Sequence, residues 1–578
     1  MSSRRAPLGP GIVLLLALMA GGWLLQRGVA QEQNVYLQSR LFQEVLDHIS
    51  ERFVDELDRD QLYDFAIEGL LRELGDPNSA LLSGMDYENF RIQTEGDYGG
   101  VGLEIIERDN LVTVVGPIPG TPGARAGIRA GDQIVEVDGE SIRGWTSQEA
   151  VQVLRGRPGS DVEVRILRPG IENPIPFTLT REQIQLRSVP FARMVDDEIG
   201  YIPLAMFQEN SGREVQAAAD SLREAGATRL ILDLRGNPGG ILSQGIGISD
   251  LFLPGDLPVA ETRGQSREQN EVIRTSAGDR FEGMPLVVLV DRGSASASEI
   301  VAGALQDHDR ALVVGATTFG KGSVQTLFSL SGGNVLKLTT ARWYTPAGRS
   351  IERRTTPGEP AEAEPIQEEG AEPMDPVAAP VPRSVSLGLF GEYVLSPDTA
   401  GRPVVESMAG RSLYGGGGIV PDLLVNPDTL TVEEQRAVRA IFQEAGTYTT
   451  GLFNFAVTYL QENEGTGETF QVTDEDLEVF YQKLRDGGFG IERTEWEAAA
   501  RFTRLQLESQ IALQGWGDEG EFARRMSYDL PLQRSIELLR QADDPLALFA
   551  LSGDEITGGE ADSGELSEAS EDGEPGGP

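Results

Sequence analysis

Residues 286–315 read LVVLVDRGSASASEIVAGALQDHDRALVVG, and their texture decides the fold. Five consecutive apolar residues, Leu286 to Val290, are too few for a helix and read as a strand buried on both faces. Small and turn-forming residues follow, with Ser294, Ser296 and Ser298 alternating, and then Ile300, Val301, Ala304 and Leu305 recur at helical spacing. Leu312 to Val314 repeats the buried strand. Strand, turn, helix and strand in that order form the unit of a layered α/β sheet. The alternation continues outward: residues 199–207 read as a strand, and Ser211 and Glu214 cap a helix with Val215, Ala218, Ala219 and Leu222 on one face. Residues 229–234 form another buried strand, ending in the turn Arg235-Gly236-Asn237-Pro238-Gly239-Gly240.

The flanking segments differ in kind. Residues 35–90 carry apolar residues at helical spacing, interrupted at Gly75-Asp76-Pro77-Asn78-Ser79. Between 98 and 180, short β-branched runs at 102–106, 111–115, 133–137 and 161–166 alternate with glycine turns around one helix, for which Thr146 and Glu149 have capping-box spacing. Residues 355–383 are rich in Pro, Glu and Ala, a linker or insertion composition. Helix signals return with capping-box spacing at Thr431 and Glu434 and at Thr494 and Glu497, and from Ser552 the chain is acidic with no basic residue.

At 578 residues the chain exceeds one hydrophobic core. Its 91 acidic against 49 basic residues, a formal charge of -42, argue against a nucleic-acid partner. There is no cysteine, so disulfides and thiolate metal sites are excluded, and His48 and His308 are the only histidines, so a multi-histidine metal centre is excluded too. Arg4 and Arg5 precede an apolar run from Ile12 to Leu25, the order of an export signal. Gly28-Val29-Ala30 suits cleavage, whereas Trp23 and Arg27 suit an uncleaved anchor.

Three segments can carry chemistry. In Tyr98-Gly99-Gly100-Val101-Gly102-Leu103, glycines before a strand let backbone N–H groups converge on a carboxylate, and the strand edge can accept an added peptide. In the serine run, small residues at a strand-to-helix turn allow close approach of a substrate carbonyl, with helix N–H groups ready for an oxyanion. Geometry alone does not choose among the three serines. In Thr317-Thr318-Phe319-Gly320-Lys321-Gly322-Ser323-Val324-Gln325, a lysine can act as base once burial disfavours its charged form. If that segment is extended, Lys321 and Gln325 share a face, so Gln325 can orient the amine. A phosphate-binding loop is disfavoured because Gly322 stands where Ser or Thr is needed. A Ser-His-Asp triad is disfavoured because Asp307 and His308 would lie roughly 16 to 18 Å from Ser296 along a helix rising about 1.5 Å per residue.

Residues 98–103 together with Gly127-Ile128-Arg129-Ala130-Gly131-Asp132-Gln133-Ile134-Val135-Glu136-Val137-Asp138-Gly139 resemble a PDZ domain, which implies a groove for polypeptide C-termini with Gly99, Gly100, Val101 and Gly102 as carboxylate loop. The serine run and the Lys321 segment resemble the S41 carboxyl-terminal processing peptidases, in which a lysine twenty-five residues after the serine activates it. That resemblance implies Ser296 as nucleophile, Lys321 as base, Gln325 as its orienting partner, and a backbone oxyanion hole from Gly239 or Gly240 with Ala297. Thr339–Arg349 wording and Gly417-Gly418-Ile419-Val420-Pro421-Asp422 also resemble the family, but about seventy residues separate them here, so 351–410 is expected to be an insertion.

The expected fold is a multidomain α/β chain: an α/β peptidase core with an inserted small β-rich PDZ domain, N-terminal helices and a helical C-terminal extension. The expected bounds are 1–30 signal or anchor, 31–92 N-terminal helices, 93–181 PDZ domain, 182–350 and 411–430 peptidase core, 351–410 insertion, 431–550 C-terminal helices and 551–578 acidic tail. The expected function is a serine endopeptidase with a Ser/Lys dyad and no metal or cofactor, exported to the periplasm or cell envelope. Its expected partners are polypeptide C-termini of unfolded or misfolded envelope proteins, an adaptor protein, the membrane through the N-terminal segment, and further copies of itself. The alternative is a PDZ adaptor or pseudoenzyme that binds C-termini without cutting.

Overall fold

The computed structural model describes residues 36–353, 399 and 401–558, apart from 109, 169, 170, 172, 428, 429 and 464. The signal or anchor assigned to 1–30, most of the insertion and most of the acidic tail lie outside the described residues. The chain divides into two compact units, 1–83 with 325–339 and 84–324 with 340–578.

In the first unit a helix over residues 36–52 is followed by Arg59–Glu73, whose N-terminus is closed by a reciprocal capping box between Asp58 and Gln61. The helix ends at Glu73, with Leu74 as C-cap and Gly75 at φ 66° turning the chain away, and Ala80–Leu82 then pairs antiparallel with the first half of strand Val335–Tyr344, Ala80 facing Lys337.

In the second unit, five strands lie in the order Leu103–Arg108, Leu111–Pro117, Gln133–Val137, Asp161–Leu167 and Ile175–Thr180. Asp161–Leu167 alternates buried Val162, Val164 and Ile166 with exposed neighbours, so one face of this sheet makes a core with Ile105, Val114, Ile134 and Leu154. Helix Ser147–Leu154 opens on the capping box expected at Thr146 and Glu149. Leu103–Arg108 is an edge strand.

A second sheet runs Arg193–Met194, Ile199–Pro203, Arg229–Asp233, Leu286–Val290, Leu312–Gly315 and Leu423–Leu424, parallel except at the first pair. Its side chains alternate between two apolar layers. Ile202, Leu230, Leu232, Val288, Val290 and Val313 pack against helices Ser211–Glu224, Leu242–Phe252 and Ala297–Asp307. Tyr201, Ile231, Val287, Leu289 and Val314 face the other way, onto Leu532, Ile536, Leu538 and Leu539 of helix Leu530–Gln541. The C-terminal region therefore supplies the sheet's second covering layer. Each of those fully buried leucines stabilises the layer by roughly 1.5–3 kcal/mol.

Helices Val432–Phe442, Ala445–Glu462, Asp474–Asp486, Arg493–Ala498 and Ala500–Arg525 build a further aromatic core of Tyr448, Phe455, Phe480, Phe489, Trp496 and Phe502. The capping box at Thr431 and Glu434 forms. Those read at Thr494 and at Ser211 do not: Glu492 and Asn210 are the N-caps. Ser211 instead donates its hydroxyl to Ser188 Oγ and Met206 O, and Glu214 accepts from the Val189 N–H, so tertiary partners outbid the local caps.

Candidate active site

Parallel strands aim their carboxyl ends one way, and ligand sites of such sheets lie there. Three loops meet at that end: the Asn-Pro-Gly-Gly turn after Arg229–Asp233, the serine turn after Leu286–Val290, and residues 316–322 after Leu312–Gly315.

The structure separates the three serines. Ser294 and Ser298 are fully buried; Ser294 Oγ donates to Leu234 O at 2.8 Å and Ser298 Oγ to Asn237 O at 2.9 Å. Both hydroxyls are consumed in tying the serine turn to the glycine turn. Ser296 is partly exposed at the N-cap of helix Ala297–Asp307 with φ 54° and ψ -111°, a conformation that is costly for a residue with a Cβ. Backbone strain of this kind is sustained only where surrounding contacts over-determine it.

Those contacts are visible. Asn237 is buried; its Nδ2 donates to Leu204 O, its carbonyl accepts from the Ala295 N–H, and its Oδ1 accepts from the Gly239 N–H at 2.9 Å. Gly239, at φ 97°, lies so close to the serine turn that a Cβ there would stand 2.7 Å from Ala295 O, 2.8 Å from Ser296 Cβ and 2.9 Å from Ala297 N. The expected oxyanion groups are thus brought together: Gly239 and Gly240 on one loop, and Ala297 as first residue of a helix, where an N–H has no intrahelical acceptor. The Gly239 N–H is engaged by Asn237.

Glu299 joins the serine helix to the lysine loop. Its buried carboxylate accepts from the Ser296 N–H (2.8 Å), Thr318 Oγ1 (2.6 Å), the Gly320 N–H (2.7 Å) and the Lys321 N–H (2.9 Å). Burial pushes this carboxyl up to about 7, against the opposing pull of those donors. Lys321 is further placed by Trp343, whose Nε1 donates to Lys321 O at 3.1 Å and whose N–H donates to Gly322 O. The loop is also pinned by Gly417–Asp422 wording: Ile419 N–H donates to Thr318 Oγ1 at 2.7 Å. In the sequence Ser296 and Glu299 stand at capping-box spacing, which shows only the Ser296 half of this role.

Gln325 belongs to the other unit, where its Nε2 donates to Thr339 Oγ1 at 3.4 Å. His308 Nε2 meets Pro258 O at 2.7 Å from the far end of the serine helix, and buried Asp307 is ion-paired with Arg349 and accepts from the Ala347 N–H. Neither approaches Ser296, as the helix length requires.

In the small β domain, the expected carboxylate loop is only half a loop: Gly99 and Gly100 end strand Asp97–Gly100, paired antiparallel with Glu182–Gln185, and Val101 and Gly102 lead on into the edge strand Leu103–Arg108. Its carbonyls are drawn inward: Gly102 O accepts from Thr121 Oγ1 and the Ile118 N–H, and Val101 O from the Gly123 N–H. Among the described residues no helix is long and apolar enough to cross a membrane.

Residues 198–359 match Peptidase family S41, and residues 113–168 match a PDZ domain. A carboxy-terminal-processing protease of Bartonella bacilliformis is 42% identical over 328 residues, covering 56% of this chain and 74% of that one. A carboxyl-terminal-processing protease of Synechocystis is 39% identical over 343 residues, covering 56% and 79%. Among solved structures, a photosystem II D1 C-terminal processing protease is 34% identical, covering 53% of this chain and 83% of that one with a TM-score of 0.32. Sequence identity over three quarters of such a relative, together with both family matches, makes this chain a PDZ-bearing serine protease of the S41 carboxy-terminal-processing family.

Proposed function

We infer that the chain is an endopeptidase in which Ser296 is the nucleophile and Lys321 its general base. The observation that carries this is the separation of the serines: two hydroxyls are buried and spent on carbonyls, while Ser296 alone is held partly exposed in a strained turn. In this reading the neutral Lys321 amine takes the proton from Ser296 Oγ as the oxygen bonds to the scissile carbonyl carbon. The oxyanion is met by the Ala297 and Gly240 N–H groups, since that of Gly239 is engaged by Asn237. Collapse breaks the C–N bond, the lysine ammonium returns its proton to the leaving amine, and water hydrolyses the ester with Lys321 again as base.

Substrates are polypeptides delivered by their C-termini, the carboxylate meeting the loop of Gly99, Gly100, Val101 and Gly102 and the peptide adding a strand to Leu103–Arg108. The basic-then-apolar N-terminal sequence supports an exported enzyme, acting in processing or quality control of cell-envelope proteins. The test is cleavage of an unstructured, C-terminally tagged reporter. Ser296→Ala and Lys321→Ala should each abolish turnover, while Ser298→Ala should retain it in the folded fraction. Undiminished cleavage by Ser296→Ala would sink the assignment.

A further inference from the structure

The two family matches end at residues 359 and 168, yet helix Leu530–Gln541, far beyond both, reaches the end of the sheet where the serine turn lies. Helix Leu530–Gln541 crosses the sheet face antiparallel to strand Arg229–Asp233 and is pinned at both ends. At its far end Ala542 O accepts from Arg229 Nε at 3.0 Å, and Arg540 pairs with Asp196. At the active-site end Asp529, its N-cap, forms a two-pronged ion pair with Arg235: Nη1–Oδ1 is 2.7 Å and Nη2–Oδ2 is 2.8 Å.

Arg235 is the first residue of the Asn-Pro-Gly-Gly turn. Its other side is held by Asp233, through Nε and Nη2 at 2.6 to 3.1 Å, and Asp233 also accepts from Tyr201 Oη at 2.6 Å. The next residue, Gly236, donates its N–H to Asp291 Oδ1, and Asp291 likewise accepts from the Gly293 and Ser294 N–H groups that open the serine turn. A single guanidinium between two carboxylates therefore sits where both turns begin. The side chains of Arg235 and Asp529 are only 19% and 10% exposed.

A buried ion pair is a poor device for stability, since apolar groups of similar volume serve as well or better. It does fix direction, because a planar guanidinium held on two sides cannot rotate. We propose that Asp529 is a positioning residue for catalysis, by which the C-terminal helical region holds Arg235 and so the oxyanion turn in register with Ser296. This rests on the Ser296 reading above and goes beyond it. The pKa directions agree: although burial raises it, Asp233 is held below its ordinary value by the Arg235 charge and by hydrogen bonds from Arg235 and Tyr201.

The experiment uses the full chain and an unstructured reporter peptide without a C-terminal tag, with rates of Ser296 labelling by a fluorophosphonate as a second readout. Asp529→Asn removes the charge but keeps a good N-cap. It should lower kcat and the labelling rate ten- to a hundredfold with KM within twofold, whereas Asp529→Glu, which keeps the charge, should stay within about threefold of wild type. Arg540→Ala, which unpins the other end of the same helix, should leave kcat unchanged. A kcat for Asp529→Asn within twofold of wild type overturns the proposal, as does an equal loss in Arg540→Ala. Should Asp529→Asn not fold, Tyr201→Phe decides: a kcat loss of threefold or more at constant KM supports it, and no loss overturns it. Wild-type turnover that persists in Ser296→Ala would instead mark failure of the underlying serine assignment.

Discussion

The chain uses a glycine turn twice, once before the edge strand Leu103–Arg108 and once before helix Leu242–Phe252, and the two turns are crowded by different things. At Gly102, with φ 70°, an added Cβ would collide with Thr121, a residue of the same small domain whose hydroxyl already holds the loop. At Gly239 the collision is with the serine turn, which arrives from another strand. The first glycine closes a loop upon itself and leaves a strand edge open. The second lets two separate loops touch. One turn is complete within its own domain, and the other exists only as part of a convergence.

Breaking the second turn should therefore cost most. Gly239→Ala is expected to reduce kcat at least a hundredfold, because a Cβ at a positive φ must push Ser296 or Ala297 away. Binding of a fluorescent C-terminal peptide should be unchanged. Loss of both in a protein that still melts cooperatively would erase the distinction. Glu299→Gln comes next, with kcat about tenfold down, since an amide cannot accept from all four donors.

Glu299 also carries a pH signature. Its carboxyl titrates near 7 when folded against an ordinary 4.5, so between those values the folded state binds more protons than the unfolded chain. The contribution of Glu299 to stability is thus complete below about pH 4.5, falls as pH rises to about 7, and is flat above. Melts of wild type and Glu299→Gln from pH 5 to 8 should show the difference moving against wild type up to pH 7. A difference growing in wild type's favour over that range would reverse the sign. Gly102→Ala should then raise KM for a tagged substrate about tenfold and leave cleavage of an untagged peptide intact. The smallest effect is expected for Arg108→Ala, which removes a guanidinium 4.1 Å from the Phe453 ring centroid and should cost stability about 1 kcal/mol, read by denaturant melts.

Much of the sheet was legible because its strands announce themselves. The uninterrupted apolar run at Leu286–Val290 requires both faces to be covered. What covers the second face was not legible: the helix that does so begins at Leu530, and nothing local links its leucines to Ile231 or Leu289. Arg235 and Asp529 are 294 residues apart, and either charge alone reads as a solvated surface group. The choice of Ser296 came from family wording, and the burial of Ser294 and Ser298 adds a physical reason that no spacing rule contains. Thr494 and Ser211 failed as caps because capping-box spacing arises by composition, and tertiary hydrogen bonds decide which instance is used.

The two halves of the family wording, Thr339–Arg349 and Gly417–Asp422, flank the insertion expected at 351–410 and meet through main-chain bonds: the Gly416 N–H donates to Ser350 O at 2.6 Å and the Gly418 N–H to Ile351 O at 2.9 Å. The chain leaves and returns at neighbouring backbone groups, so whatever lies between is a closed ring with its clasp already fastened. Closing such a ring grows only logarithmically more costly with its length, by about 0.6 kcal/mol for each doubling. This point on the fold can therefore lengthen or shorten, or accept a foreign segment, at little expense to the loop that carries Lys321.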